Sequence, residues 1–137
     1  MRYLIDSNLL IDATSKAYIS DKISDILADY ENIIYVSSES VKEFIHWLQS
    51  SKVTPKIKLQ VVDVIDFIEN TLGFEVKYIA KEHLRTMSKL DKVEGHNDPS
   101  DRLIIAQAIT ENLPLISSDR EFPKYVNMGL NFIPNYR

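Results

Sequence analysis

No cysteine occurs among the 137 residues. Disulfides, thiolate metal sites and cysteine nucleophiles are thereby excluded, and a reducing compartment fits. Three glycines and five prolines are too few for a low-complexity, collagen-like or loop-rich chain, and no internal repeat is visible. No run approaches the roughly 20 apolar residues of a membrane span. Asp6 interrupts the N-terminus before any apolar stretch long enough for a signal peptide. Together these absences lead us to expect a cytoplasmic protein. Positive charge is also short: 16 Lys and Arg stand against 20 Asp and Glu, a net charge of −4. Coating of nucleic acid by the whole surface is disfavoured, whereas contact through one patch is not. Hydrophobic residues at 45% and charged residues at 26% are ordinary for a globular protein, and the length suits one domain over 1–137.

The periodicities alternate. Tyr3-Leu4-Ile5 reads as a buried strand ending in an acid. Ile19 to Tyr30 carries apolar residues at helical spacing. Ile33 to Val36 is a β-branched and aromatic strand. The serines of 37–40 then open a helix through Leu48. Pro55 to Leu72 predicts a long helix stopped by Gly73, and Phe74 to Ile79 a strand. Ala80 to Leu90 is helical, 91–97 a loop, and Asp98-Pro99 opens a helix to about Glu111. Leu115-Ile116 and the region Asn131 to Ile133 supply two further strands. Strands alternating with helices predict a three-layer α/β/α domain around a mainly parallel sheet.

In open parallel sheets, sites form at the carboxyl ends of the strands. Asp6 and Asp119 follow strands in this pattern, and Glu43 and Asp101 lie near the starts of helices that follow loops. All four fall on one edge of the sheet. Two carboxylates about 4 Å apart repel by about 4 kcal/mol at an effective dielectric near 20. Four together therefore require a cation. Hard oxygen donors without cysteine or a histidine pair suit Mg²⁺ or Mn²⁺ rather than zinc, and such ions serve phosphodiester hydrolysis. Each acid also admits a structural role. Asp98 is a good cap before a proline, and Asp101 complements the helix dipole. Glu43 closes a capping box with Ser40, and Asp119 suits a turn. Asp6 is the hardest to dismiss, because an unpaired buried carboxylate is costly.

The segments YLIDSNLLID, VSSESVKEFIHW, HNDPSDRLIIAQA and LPLISSDREFPKY, in that order, resemble PIN domains, especially the VapC-type ribonuclease toxins of bacterial toxin–antitoxin pairs. The resemblance runs from Tyr3 to about Tyr125. It implies that Asp6, Glu43, Asp101 and Asp119 are metal ligands and catalytic residues, with Asn8, Ser117 and Asp98 as neighbours. It also implies a Mg²⁺- or Mn²⁺-dependent ribonuclease, an RNA substrate, a homodimer and a small antitoxin partner. Ser100 and the position of Trp47 depart from the family pattern, and these departures concern packing or substrate contact. Lys42, Lys52, Arg102 and Arg120 are candidates for phosphate contact. His96, before the Asp98 helix, is placed to approach the scissile phosphate, but a loop histidine is more often exposed and it is left out of the catalytic set; Phe44 and Trp47 read as core or dimer contacts rather than stacking platforms. A phosphoaspartyl enzyme is the competing chemistry, but Asp6-Ser7-Asn8 lacks its second acid. A binding module whose acids are only caps also fits the local patterns, as does a housekeeping RNA-processing nuclease.

Overall fold

The computed structural model describes residues 1–15, 17–50 and 59–136. The residue that ends each of the first two strands also starts a helix. Asp6 closes β1 (Arg2–Ile5) and caps α1 (Ser7–Thr14), accepting the Leu9 amide at 2.9 Å. Ser37 ends β2 (Ile33–Ser37) and caps α3 (Ser38–Gln49), accepting the Glu39 amide at 3.1 Å. Between them Ser20 caps α2 (Asp21–Ala28). These short polar side chains satisfy amides that the first helical turn leaves without partners.

Beyond 58 the chain enters a short helical region. A 3-10 turn (Val61–Asp63) leads into α4 (Val64–Asp66) and out through a π-helical turn (Phe67–Thr71). Then follow β3 (Glu75–Lys77), α5 (Lys81–Lys89), α6 (Pro99–Glu111) and β4 (Leu115–Ser117). A 3-10 segment (Phe122–Met128) and β5 (Phe132–Pro134) complete the order.

Four differences from the sequence pattern have physical causes. The first part of the helix expected over 55–72, and Lys52, lie outside the described residues. The described remainder is not one regular helix. Val61, Val62, Val64 and Ile65 are β-branched and resist helical χ1 restriction. The wider π turn carries both Phe67 and Ile68 into the core, and the Leu72 amide donates to the Phe67 carbonyl at 3.0 Å. Gly73, at φ 74°, ends the turn as expected. Second, α1 was not legible as a helix because it is short and its cap is also the acid of interest. Third, α2 stops at Ala28, and Tyr30 is 94% exposed rather than on the apolar face. Fourth, the 3-10 segment was hidden behind Pro123 and buries Phe122 and Tyr125.

The strands lie in the order β3-β2-β1-β4-β5, and every pair is parallel. β1 is central, with Ile5 beside Val36 on one side and Ile116 on the other. Its side chains alternate between two cores. Tyr3 and Ile5 join Ile34, Val36 and Ile116 beneath α1, α2, α3 and α4, while Leu4 joins Leu115, Ile104, Ile105 and Tyr125 beneath α6 and the 3-10 segment. This is the expected three-layer α/β/α arrangement. Strand order reverses at β1, so the crevice beyond β1 and β4 is the switch point at which such sheets bind ligands.

Candidate metal centre

At this switch point Asp6 is 3% exposed. One oxygen caps α1, and the other accepts the Ser117 hydroxyl at 2.6 Å. Ser117, the last residue of β4, also accepts the Asp119 amide at 2.9 Å. One serine thus fixes two acids. Asp119 caps its own turn by accepting the Glu121 amide at 2.8 Å, which is the turn role that its sequence context allowed, and its other oxygen is available to a ligand.

Glu43 approaches from α3. Its oxygen accepts the Ser7 hydroxyl at 2.7 Å, and Ser40 Oγ lies 3.0 Å from the same hydroxyl. Because α3 begins at Ser38 with Ser37 as its cap, Ser40 and Glu43 are inside the helix. The capping-box account of Glu43 is therefore wrong. Asp98 does cap α6, accepting the Ser100 and Asp101 amides at 2.9 and 3.2 Å. Asp101, in the first turn, points its Oδ2 at His96 Nε2, 3.2 Å away.

His96 corrects the sequence expectation. It is buried, not an exposed loop residue. Its Nδ1 is 2.6 Å from the Tyr125 hydroxyl, and its ring packs edge-on against Phe122 and Tyr125. The isolated bridge between Val93 and His96 folds the loop back so that this is possible. Donor atoms of His96, Asp101 and Asp119 lie within 4.8 Å of one another. Asp101 also lines a cavity of about 200 Å³ with Asp6, Asn8, Glu43, Asp98 and the half-buried Trp47. Asp101 therefore joins the two groups, and the four acids share one centre.

The electrostatics agree with this convergence. Burial pushes the Asp6 carboxyl from 3.8 up to about 7, against the lowering effect of the Ser117 and Leu9 bonds, and Asp101 and Asp119 push it further. Burial likewise raises Glu43, with Asp101, Asp98 and Glu39 adding to the rise and the Ser7 bond opposing it. Burial raises Asp101, where the His96 bond opposes and Asp98 and Asp119 reinforce. Among the described residues no lysine or arginine pairs with any of the four acids.

The other candidates fall around this centre. Asn8 is exposed at the cavity wall. Lys42 pairs with Glu39, which accepts the Ser100 hydroxyl at 2.9 Å. The Arg102 guanidinium donates to Tyr125 Oη and to the carbonyls of Leu90 and Asp91, which clamps the 91–97 loop to α6. Arg120 stacks over Tyr136 at 4.0 Å. Phe44 is core, at 1% exposure. Sequence reasoning missed Ser7, Ser40, His96 and Tyr125. Ser7 follows Asp6 in DSN and His96 stands two residues before Asp98 in HND; Ser40 was read only as a capping-box partner, and Tyr125 carried no local signal.

The fold and site define a three-layer α/β domain with a carboxylate centre at the switch point of its sheet. A PIN domain family model matches residues 3–127, and the chain belongs to that family. No curated protein sequence matches it. Among solved structures it resembles a chain of VapBC2 from Rickettsia felis bound to a promoter DNA fragment, at 21% identity and TM-score 0.65, over 100% of this chain and 99% of that one. It also resembles a chain of DNA-bound VapBC from Salmonella typhimurium, at 16% identity and TM-score 0.71, over 98% of each. A third is VapBC-1 from nontypeable Haemophilus influenzae, at 18% identity and TM-score 0.69, again over 98% of each. At these identities the likeness is one of fold.

Proposed function

We propose that this protein is a metal-dependent endoribonuclease that hydrolyses RNA phosphodiesters, acting as the toxin of a type II toxin–antitoxin pair. The observation that carries the reading is the set of four converging carboxylates without a lysine or arginine counter-ion among the described residues. Such a set is electrostatically unstable alone and matches the oxygen donors that Mg²⁺ and Mn²⁺ prefer. The single imidazole, His96, is compatible with Mn²⁺ but is too little for a zinc site of histidines. Asp6, Glu43, Asp101 and Asp119 would hold the ion, which in such sites activates water and offsets charge building on the phosphoryl oxygens.

The chain's own groups prepare that centre. Ser117 and the α1 amide hold Asp6 in one rotamer, Ser7 orients Glu43, and His96 orients Asp101 through its bond to Tyr125. Supporting bonds of this kind fix ligand geometry before binding. Asn8, at the cavity wall, is available to a substrate phosphate, and Arg120 follows Asp119 in the chain and lines a neighbouring cavity. An antitoxin partner is supported by the VapBC complexes that share the fold. A homodimer and a cytoplasmic location complete the reading; among the described residues no helix is long and apolar enough to cross a membrane.

The test incubates purified wild type and Asp6→Asn with a mixed RNA pool, in Mg²⁺ or Mn²⁺ and then in EDTA. Cleavage by the wild type alone, abolished by EDTA, supports the proposal. Equal cleavage by both proteins, or none by either, rejects it.

A further inference from the structure

Beside the acidic centre a second cavity, of about 350 Å³, is lined by Asp12, Tyr18, Ser118, Arg120, Asn135 and Tyr136. It is a built feature. Asn135 is 2% exposed; its Oδ1 accepts the Ser20 amide at 2.8 Å and its Nδ2 donates to the Tyr18 carbonyl at 3.3 Å. Its own amide donates to the Ser117 carbonyl at 2.9 Å. The cavity wall is thereby tied to the serine that holds Asp6. Asp12 lies six residues beyond Asp6 on α1, about 9 Å along the helix axis. Ser118 and Arg120 flank Asp119 in the chain. The cavity therefore adjoins the acidic centre along both α1 and the 118–120 segment.

Two features define the chemistry of its occupant. The Arg120 guanidinium carbon sits over the Tyr136 ring, 4.0 Å from its centre, a cationic and aromatic pair of the kind on which unpaired bases stack. The Asp12 carboxylate, half-buried, has no hydrogen-bond or ion-pair partner among the described residues. Burial raises its pKa, with no donor to oppose the rise. An ionised carboxylate only accepts hydrogen bonds. A phosphate would be repelled by it, and an apolar ligand would leave it unsatisfied. A nucleobase with two adjacent N–H donors satisfies it. Guanine offers N1–H and N2–H side by side. Adenine, cytosine and uracil each place a ring acceptor or carbonyl beside their single donor.

We propose that this cavity is a guanine subsite for single-stranded RNA, in which Asp12 accepts the N1–H and N2–H groups of an unpaired base stacked on the Arg120–Tyr136 pair. The proposal rests on the ribonuclease reading for the class of its substrate. The test measures fluorescence anisotropy of labelled hexauridylates carrying one central guanine, inosine or adenine, titrated with the wild-type protein in EDTA. Guanine is expected to bind about tenfold more tightly than adenine, within the range of a bidentate contact. Inosine, which lacks the 2-amino group, falls between them. Asp12→Asn removes the guanine preference, and Tyr136→Leu weakens all three RNAs alike.

Equal affinity for guanine and adenine, no binding of any of them, or a preference that survives in folded Asp12→Asn overturns the proposal. The inosine and adenine comparisons need only the wild type, so a variant that fails to fold does not spoil the test. Parallel incubation with Mn²⁺ separates the two readings. Guanine preference without cleavage keeps the subsite and removes the nuclease, and cleavage without base preference does the reverse.

Discussion

Replacing Asp6 by asparagine should make the metal-free protein more stable, and the gain should depend on pH. Burial and neighbouring acids raise the Asp6 carboxyl from 3.8 to about 7 in the folded state. A raised folded pKa means that the native state holds a proton that the unfolded state has released. The wild type therefore has its full stability below about pH 4 and loses it progressively as pH rises to about 7. A rise of roughly 3 pH units at about 1.36 kcal/mol each gives a loss of about 4 kcal/mol. Asparagine carries no charge and escapes that loss. Its oxygen still accepts the Leu9 amide, but the Ser117 hydroxyl loses a carboxylate acceptor, at a cost of about 1 kcal/mol. The net gain at pH 8 is about 2 to 3 kcal/mol, or about 8 °C in Tm for a chain of this size. Near pH 4 it vanishes. The assay is thermal melting in EDTA from pH 4 to 8, repeated with Mg²⁺. Cation at 100 times its Kd adds about 2.7 kcal/mol to the wild type and nothing to the variant. An asparagine variant that is less stable than wild type at pH 8 in EDTA, or whose advantage does not shrink toward pH 4, would refute the reasoning.

Three other outcomes follow from the same contacts. Ser117→Ala frees both Asp6 and the Asp119 amide, so calorimetric Mn²⁺ affinity should fall by about 10- to 100-fold, and an unchanged Kd would count against its positioning role. His96→Ala leaves the Tyr125 hydroxyl and Asp101 without their buried partner; denaturant titration should show a loss of about 2 kcal/mol, the cost of an unsatisfied buried group. Asn112 caps α6 at φ 54°, where asparagine is tolerated and alanine is not; Asn112→Ala should lower stability by about 1 kcal/mol, read from the same titration.

The layered fold was legible because the central strands β1, β2 and β4 read as short apolar runs, and β1 and β2 end at polar capping residues. Asp98, Pro99 and the left-handed Asn112 bracket α6 where the sequence places its ends. Glu43 shows the opposite case: SxxE is locally identical to a capping box, and only the true start of α3 at Ser38 separates the two roles. The candidate acids could be read because Asp6 and Asp119 follow strands and Glu43 and Asp101 lie near the starts of helices. Their supports could not, because Ser7 acts on Glu43 across 36 residues and His96 on Tyr125 across 29. A loop histidine becomes a buried one only when Arg102 clamps that loop. The irregular helix over 61–71 combines a β-branched run with the burial of Phe67 and Ile68, and only the first of these is visible in the sequence.

The central position of β1 has a consequence in time. Its partner β4 is made long after it, and the bond from Ser117 to Asp6 spans 111 residues. At typical rates of protein synthesis that gap is on the order of 10 s. During it the nascent chain carries Asp6, Glu43 and later Asp101, but not Asp119 or the serine that holds the first acid. The acidic centre is thus completed by a strand made well after the one it docks against, and the site is finished only once Ser117 and Asp119 have been added to the chain.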